Sequence, residues 1–263
     1  MLIKAKALKG YKLESLDGEI GKAREFYFDD RHWTIRYLVA DTGSWLTGRQ
    51  VLLSPYDISA VIPDQRHIAI KLTKRQIEES PSLDSDKPVS RQFEYTLLDY
   101  YTWPAYWRGP YMWGSYAYPY MAGPYPRIAR QEVAEAPGNE EVRDAHLRSA
   151  NTVAGYHIQS TDGTVGHVED FIIDEETWAI RYLVVDTRNW WPGKKVLISP
   201  RWIDRISWDK SKVFVNVSRE TVRQAPEYTE DALLTRDYES SLYHHYDRLG
   251  YWVDEPAAQE HSR

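Results

Sequence analysis

A sequence of thirteen residues occurs twice in this chain in nearly the same form. Residues 33–45 read WTIRYLVADTGSW, and residues 178–190 read WAIRYLVVDTRNW. The register continues without a gap on both sides, so that Gly10-Tyr11 falls on Gly155-Tyr156. From Ala5 to Trp107, about one third of the positions are identical to their partners in the second half. A match of this length in one ungapped register predicts a duplicated structural unit.

The repeated core has the pattern of a central β-strand. Residues 33–39 are rich in aromatic and β-branched side chains, and both alternating faces are largely apolar. Asp17-Gly18 predicts a tight turn, and Gly21 predicts a bulge or a close approach of two backbones. Ser54-Pro55 ends the next strand because proline cannot donate to a ladder. Five or six short strands in about 75 residues are typical of a small antiparallel barrel.

Helix-like sequence follows each set of strands. Thr73 and Gln76 have the spacing of a capping box. Apolar residues then recur every fourth position from Val89 to Tyr101, and the second copy keeps this stripe over residues 234–246. Such a stripe packs against the core of its own domain more often than it lines a groove for a partner.

These features together resemble the PRC-barrel family. Both halves carry an Asp-Gly turn with a glycine three residues later, an acidic turn, an Arg-Tyr-Leu-Val strand ending in Asp, and a Val-Leu-Leu/Ile-Ser-Pro segment. The family includes the cytoplasmic part of the photosynthetic reaction-centre H subunit and the C-terminal domain of a ribosome maturation factor. The resemblance implies small β-barrels that bind other macromolecules and share no catalytic chemistry. The layout with an aromatic linker is similar to two-barrel bacterial proteins of this family.

We therefore predict a mainly β protein with two small antiparallel barrels, each followed by a helix, joined by an aromatic linker rich in proline and glycine. The predicted limits are 1–81 for the first barrel, 82–102 for its helical extension, 103–149 for an aromatic and then charged linker, 150–226 for the second barrel, and 227–263 for the last helical extension and tail. Within the linker, Gln131–Arg148 is charged and expected to be partly helical.

Aromatic residues form the first candidate interaction surface. Prolines and glycines between Asp99 and Pro126 disfavour a long helix or regular sheet beyond Tyr101. The rings there either pack within the chain or a homodimer, which the pattern favours, or bind a partner. Loops after the repeated strand offer a second set, which either caps the barrel mouths or contacts a partner. The candidate residues are Trp103, Trp107, Tyr111 and Trp113 in the linker, and Trp45, Leu46, Trp190 and Trp191 in the loops.

Two recurrent charges lie on the repeated strand. Arg36 and Arg181 are in its middle, whereas Asp41 and Asp186 end it. A buried ion without a partner costs several kcal/mol, so these residues are expected to form structural ion pairs. The alternative is a role at a protein interface, where arginine is common among the residues that contribute most to binding.

Catalytic and metal-binding motifs are missing from the sequence. There is no cysteine, which excludes disulfides, zinc–thiolate sites and thiol nucleophiles. The sequence contains no G-x-S-x-G, H-E-x-x-H or phosphate-binding glycine loop. His244 and His245 are adjacent on a predicted helix, about 100° apart, and cannot easily chelate one ion. We expect no enzyme activity, no cofactor and no metal.

Charge and hydropathy narrow the functional classes. A net charge of −6 and a pI of 5.8 disfavour a general nucleic-acid binder. No apolar run has the length of a signal sequence or of a membrane span, which needs about 20 residues. The favoured hypothesis is a non-enzymatic adaptor or assembly module in the bacterial cytoplasm, which binds a protein of unknown identity or forms a homo-oligomer. The alternatives are a membrane-peripheral partner of an electron-transfer complex, on the cytoplasmic side, and a ribosome-associated maturation factor.

Overall fold

The computed structural model describes residues 1–46, 49–82, 89–121, 146–187, 193–229 and 233–254. It is mainly β, as predicted, with two seven-stranded sheets and short helices. The strands are β1 Leu2–Lys4, β2 Lys12–Ser15, β3 Gly18–Asp29, β4 Thr34–Asp41, β5 Gln50–Leu53, β6 Ile58–Ile62, β7 His67–Ile70, β8 Leu147–Ser149, β9 His157–Ser160, β10 Gly163–Asp174, β11 Ile180–Asp186, β12 Lys195–Ile198, β13 Ile203–Ser207 and β14 Lys212–Val215. The α-helices are α1 Ala5–Leu8, α2 Lys74–Glu78, α3 Arg91–Tyr101, α4 Ala150–Val153, α5 Arg219–Gln224 and α6 Arg236–His245.

The chain forms two compact units whose limits differ from those of the repeats. The first unit contains Lys6–Ala150 and Glu175–Ala179, and the second contains Met1–Ala5, Asn151–Asp174 and Ile180–Arg263. Each unit is thus built mainly from one repeat and includes a short segment of the other. The sequence of a short strand does not indicate which sheet it joins, because its pattern is the same at either edge.

The two sheets have the same strand order. In the first unit the order is β5-β4-β3-β2-β7-β6, with β8 added to β3, and in the second it is β12-β11-β10-β9-β14-β13, with β1 added to β10. The predicted antiparallel pattern holds for most pairs, but β2 pairs with β7 and β9 with β14 in parallel. Each sheet is therefore mixed, and no pairing between its two end strands is found among the described residues. The predicted central strand, β4, is buried along seven of its eight residues.

Glycine at the predicted bulge is required by a close backbone contact. The register between β2 and β3 shifts beside Gly21, and this residue has a φ of +133°. A Cβ atom there would collide with the carbonyl oxygen of Asp41. Gly166, with a φ of +150°, makes the same close contact with Asp186 in the second unit. The prediction of a bulge or close approach is thus confirmed in both halves.

The predicted helical segments are also present. Thr73 and Gln76 form the expected capping box at the start of α2. Helix α3 begins after Ser90, whose side chain accepts a hydrogen bond from the Phe93 amide, and ends at Tyr101. Leu97 and Tyr101 of the apolar stripe are buried, which matches the expectation of packing against the core. A carboxylate, Glu94, is buried with them, which the apolar pattern did not indicate.

The linker has no regular element between Tyr101 and Tyr120. Two isolated bridges, Tyr111 with Gly114 and Trp113 with Tyr116, fold it into a tight turn. The structure does not describe residues 122–145, so most of the predicted charged and partly helical stretch lies outside the described residues. Its end, residues 147–149, forms strand β8 rather than helix, because it pairs with the edge of β3.

Candidate functional site

A buried arginine lies at the centre of the first unit. Arg36, on β4, is completely buried, and its Nε donates to Oδ2 of Asp29 at the end of β3 at 2.6 Å. Burial by itself raises the pKa of Asp29. The charge of Arg36 and hydrogen bonds from His32 outweigh that effect and lower the pKa to about 2. Asp29 is therefore ionised at neutral pH, and the pair keeps its charge inside the protein.

Two aromatic rings cover the rest of this guanidinium. The ring of Tyr106 lies 3.9 Å from the Arg36 Cζ, and that of Trp113 lies 4.6 Å away. Neither Nη atom has a hydrogen-bond partner among the described residues, so the π faces provide the compensating interaction. Trp113 is held in place by an edge contact with Tyr56 at 5.0 Å and by donation from its Nε1 to the Thr177 carbonyl oxygen at 2.8 Å.

A buried carboxylate connects helix α3 to the sheet. Glu94 accepts hydrogen bonds from the hydroxyls of Tyr37, at 3.0 Å, and Tyr106, at 2.8 Å, and pairs with Arg91 at 3.0 Å. Burial raises the pKa of Glu94, and the charge of Arg91 opposes this effect only in part. Because these contacts satisfy the carboxylate, the helix is fixed against the sheet in one orientation.

The second unit contains the same arrangement. Arg181 donates to Asp174 at 2.8 Å and lies 4.0 Å from the ring of Tyr251. Glu239 of α6 accepts from the hydroxyl of Tyr182 at 2.7 Å. Sequence reasoning missed this network, although a usable signal existed. Glu94, Tyr37 and Tyr106 are each identical to their counterparts in the second repeat. A glutamate and two tyrosines that recur together indicate a shared buried interaction.

The arginines do not pair with the aspartates that the sequence suggested. Arg36 binds Asp29 rather than Asp41, and Arg181 likewise binds the aspartate before its strand rather than Asp186. Residues five apart on a strand are roughly 16 Å apart and on opposite faces, so they cannot form a contact. The hairpin instead brings the end of the preceding strand next to the arginine.

A cleft of about 480 Å³ opens beside this network in the first unit. Arg91 stacks over the ring of Trp107 at 3.8 Å, and Tyr95 meets the same ring edge-on at 5.3 Å. These rings are half-buried, so their faces are held in place yet accessible. The described residues that line the cleft are Asp29, Asp30, Arg31, His32, Arg91, Tyr95, Tyr106, Trp107 and His146.

Acidic groups in the cleft are paired. Asp29 binds Arg36, and Asp30 binds Arg148 of β8 at 2.8 Å. Burial raises the pKa of Asp30, against the opposing effect of Arg148. Since both carboxylates have a cationic partner, Arg31 gives the cleft rim a positive charge.

The cleft is also where the two repeats differ in chemistry. The buried ion pair, glutamate and tyrosines keep their residue types, and Arg91 and Trp107 have identical partners in the second repeat. The rim residues do not. The second repeat has Glu176, Thr177 and Ser240 where the first has Arg31, His32 and Tyr95.

The four candidate aromatic residues of the linker do not form one surface, because two are buried and two are accessible. Trp103 is buried, stacks on Tyr101 at 4.3 Å and donates to Asp57 at 2.6 Å. Trp113 is buried as well, so neither ring is part of an exposed surface. Trp107 lies in the cleft, and Tyr111 is 45% exposed.

The loop residues are only partly described. Trp45 and Leu46 are half-buried, and the Nζ of Lys74 lies 5.6 Å from the Trp45 ring. Trp190 and Trp191 lie outside the described residues.

No metal-binding group of three or more histidine, aspartate or glutamate side chains occurs in the part of the chain that the structure describes. Within the same residues, no helix combines the length and hydropathy needed to cross a bilayer.

In a comparison with protein families, residues 147–222 match the PRC-barrel domain. The second half of the chain contains a PRC-barrel domain. The matched residues run from β8 to within α5 and include the strands β9 to β14. The match confirms the resemblance for this half and supports a general role in interaction or assembly. A comparison with curated proteins found no match.

Proposed function

We propose that this chain is a non-enzymatic interaction module built from a duplicated PRC-barrel. In this proposal the first unit is also a PRC-barrel, in addition to the one that the family match identifies in the second half. Two features support the duplication. The sheets share one strand order, and each contains the buried Arg–Asp pair beneath a tyrosine ring. The common frame supplies stability to both units, so a functional difference between them is expected at the surface.

The observation that carries the proposal is the cleft of the first unit. Its rim has tyrosine, tryptophan and arginine, the residue types that contribute most to binding at protein interfaces. The stacked Arg91 and Trp107 lose little conformational freedom on binding, because they are already held in one arrangement. The rim residues of the cleft differ between the two repeats, whereas the buried ion pair and glutamate beneath them do not. We expect this pattern of a binding surface.

The charge of the rim indicates the kind of partner. With Asp29 and Asp30 neutralised by arginines, Arg31 favours an acidic group, and the rings of Tyr95 and Trp107 favour an apolar or aromatic one. We therefore propose a protein segment with an acidic residue next to an apolar residue. We propose binding rather than catalysis because both carboxylates of the cleft, Asp29 and Asp30, are held in ion pairs with arginines.

Residue exchange between the repeats provides the test. The variant Arg31→Glu/His32→Thr/Tyr95→Ser gives the cleft the side chains of the second repeat, which are compatible with the fold. Its matched control, Arg75→Glu/His157→Thr/Tyr100→Ser, makes the same changes at exposed positions elsewhere. Proteins captured from a native lysate and crosslinked to the wild type and the control should be lost with the cleft variant.

Capture of the same proteins by the cleft variant would refute the proposed site. The identity of the captured proteins also discriminates between the specific roles that the family resemblance implies. Ribosomal proteins would indicate a maturation factor, and electron-transfer proteins would indicate a membrane-peripheral partner.

A further inference from the structure

The short strands β1 and β8 occupy equivalent positions in the two sheets. β1 pairs with β10 so that Leu2 faces Asp174, and β8 pairs with β3 so that Leu147 faces Asp29. Leu2 and Leu147 are equivalent positions of the two repeats, and so are Asp29 and Asp174. The first strand of each repeat therefore lies in the sheet formed mainly by the other repeat.

Each of these strands is held by few contacts. Three residue pairs join β1 to β10, and three join β8 to β3. The buried anchors are Ile3 and Ala5 in one case and Leu147 and Ala150 in the other. Because short edge strands open at a much smaller free-energy cost than the whole unit, the edges of β3 and β10 become accessible without global unfolding.

The two edges differ in the side chains that they select. On β3, Arg148 of the added strand pairs with Asp30 at 2.8 Å, and Ser149 donates to Glu25. On β10, Ile3 of the added strand faces Ile173. The β10 edge is therefore suited to an apolar strand, and the β3 edge to a polar one.

We propose that the β10 edge is a donor-strand site that residues 2–4 of a second copy of this chain can fill. The backbone groups of β10 bind the added strand, and Ile173, which faces Ile3 across the pair, selects the isoleucine. Strand β1 already lies in the sheet of the other repeat. The same contacts can form when β1 comes from a second molecule, and this exchange of an identical element is the basis of strand-swapped dimers. This inference is independent of the cleft.

Single cysteines give the first test, because the natural chain has none. Lys4 and Ile172 are register partners, and facing residues of antiparallel strands lie within disulfide reach. Purified Lys4→Cys and Ile172→Cys variants are mixed at high concentration, incubated with an oxidant and analysed by mass spectrometry. A heterodimer linked through residues 4 and 172 should form several-fold faster than one between Lys4→Cys and the exposed control Ser44→Cys. Equal rates would overturn the proposal.

A deletion variant gives the second test. Removal of residues 2–5 leaves the β10 edge open, and a fluorescent peptide of residues 1–9 should bind it. The intact chain should bind the peptide at least about tenfold more weakly, because its site is filled for most of the time. A peptide with Ile3→Asp should not bind. If the folded deletion variant does not bind the peptide, the proposal is wrong, and if the variant does not fold, the cysteine experiment decides.

Discussion

The two buried arginines satisfy their guanidinium groups in different ways. Arg181 donates from both Nε and Nη2 to Asp174, whereas Arg36 donates to Asp29 from Nε alone. In the first unit, Trp113 covers the nitrogen atoms that lack a hydrogen bond. The aromatic segment after α3 is therefore part of the core of the first unit, and the comparison shows that one repeated ion pair depends on residues outside the repeat.

Trp113→Ala should have the largest effect. The substitution removes a buried ring, which costs about 3–5 kcal/mol, and it uncovers one face of Arg36. Hydrogen exchange should increase throughout the first unit, while exchange in the second unit stays as in the wild type. Tyr111→Ala, in the same turn but 45% exposed, is the matched control and should change stability by less than about 0.5 kcal/mol. Equal effects of the two substitutions would contradict a core role for Trp113.

Removal of each arginine should distinguish the two ion pairs. Arg36→Met leaves Asp29 buried without its cation and should destabilise the first unit by about 3–4 kcal/mol. Arg181→Met should cost less, because the Asp174 side chain is 15% exposed and that of Asp29 only 3%. Chemical denaturation with unit-resolved hydrogen exchange measures both. Adding Asp29→Asn to Arg36→Met should recover part of the loss, and failure to do so would contradict the pairing.

Asp57 should make the first unit sensitive to pH. Burial raises its pKa to about 7, although donation from Trp103 opposes the shift. The folded state therefore binds the proton more strongly than the unfolded state does. The resulting stabilisation is complete below about pH 4 and is lost as the pH rises through 7, by an amount of order 4 kcal/mol in total. Unfolding measured at pH 5 and pH 8 should show this loss.

Asp57→Asn is the control for the pH effect. The amide oxygen can still accept from Trp103, but the side chain no longer titrates, so the first unit should lose less stability between pH 5 and pH 8. The loss that remains comes from Glu94 and Asp30, whose pKa values burial also raises. The second unit has Trp202 at the equivalent position and should not show this dependence. A first unit whose stability falls equally in the Asn variant would assign the pH effect to another group.

Helix caps should show the smallest effect and no difference between the units. Thr73 accepts a hydrogen bond from the Gln76 amide, and Ser218 accepts one from the Thr221 amide. Replacing either residue by alanine should destabilise its own unit by about 1 kcal/mol. Thermal unfolding of the two variants checks this equality. A clearly larger loss in one unit would show that the repeats differ beyond the arginine sites and the cleft.

Local features could be predicted because their cause lies in neighbouring residues. Gly21 is needed for a positive φ, Thr73 for the start of a helix, and the spacing of Leu97 and Tyr101 for its buried face. None of these depends on which distant residues come together. The candidate site was harder to predict from the sequence. Trp107 was among the candidates, but the rim residues Arg31, His32 and Tyr95 have no local pattern that marks a cleft.

The sequence by itself determined the repeat, the β-rich character of both halves and the helices that follow them, since periodicity and turn residues act over short distances. Only the tertiary structure decided that Arg36 binds Asp29, that Trp113 is in the core, and that β1 and β8 cross into the opposite sheets. Pairing across a hairpin depends on its register, and a short strand fits any edge with the same spacing. The first choice is made by strand register, and the other two are made by packing between segments far apart in the chain.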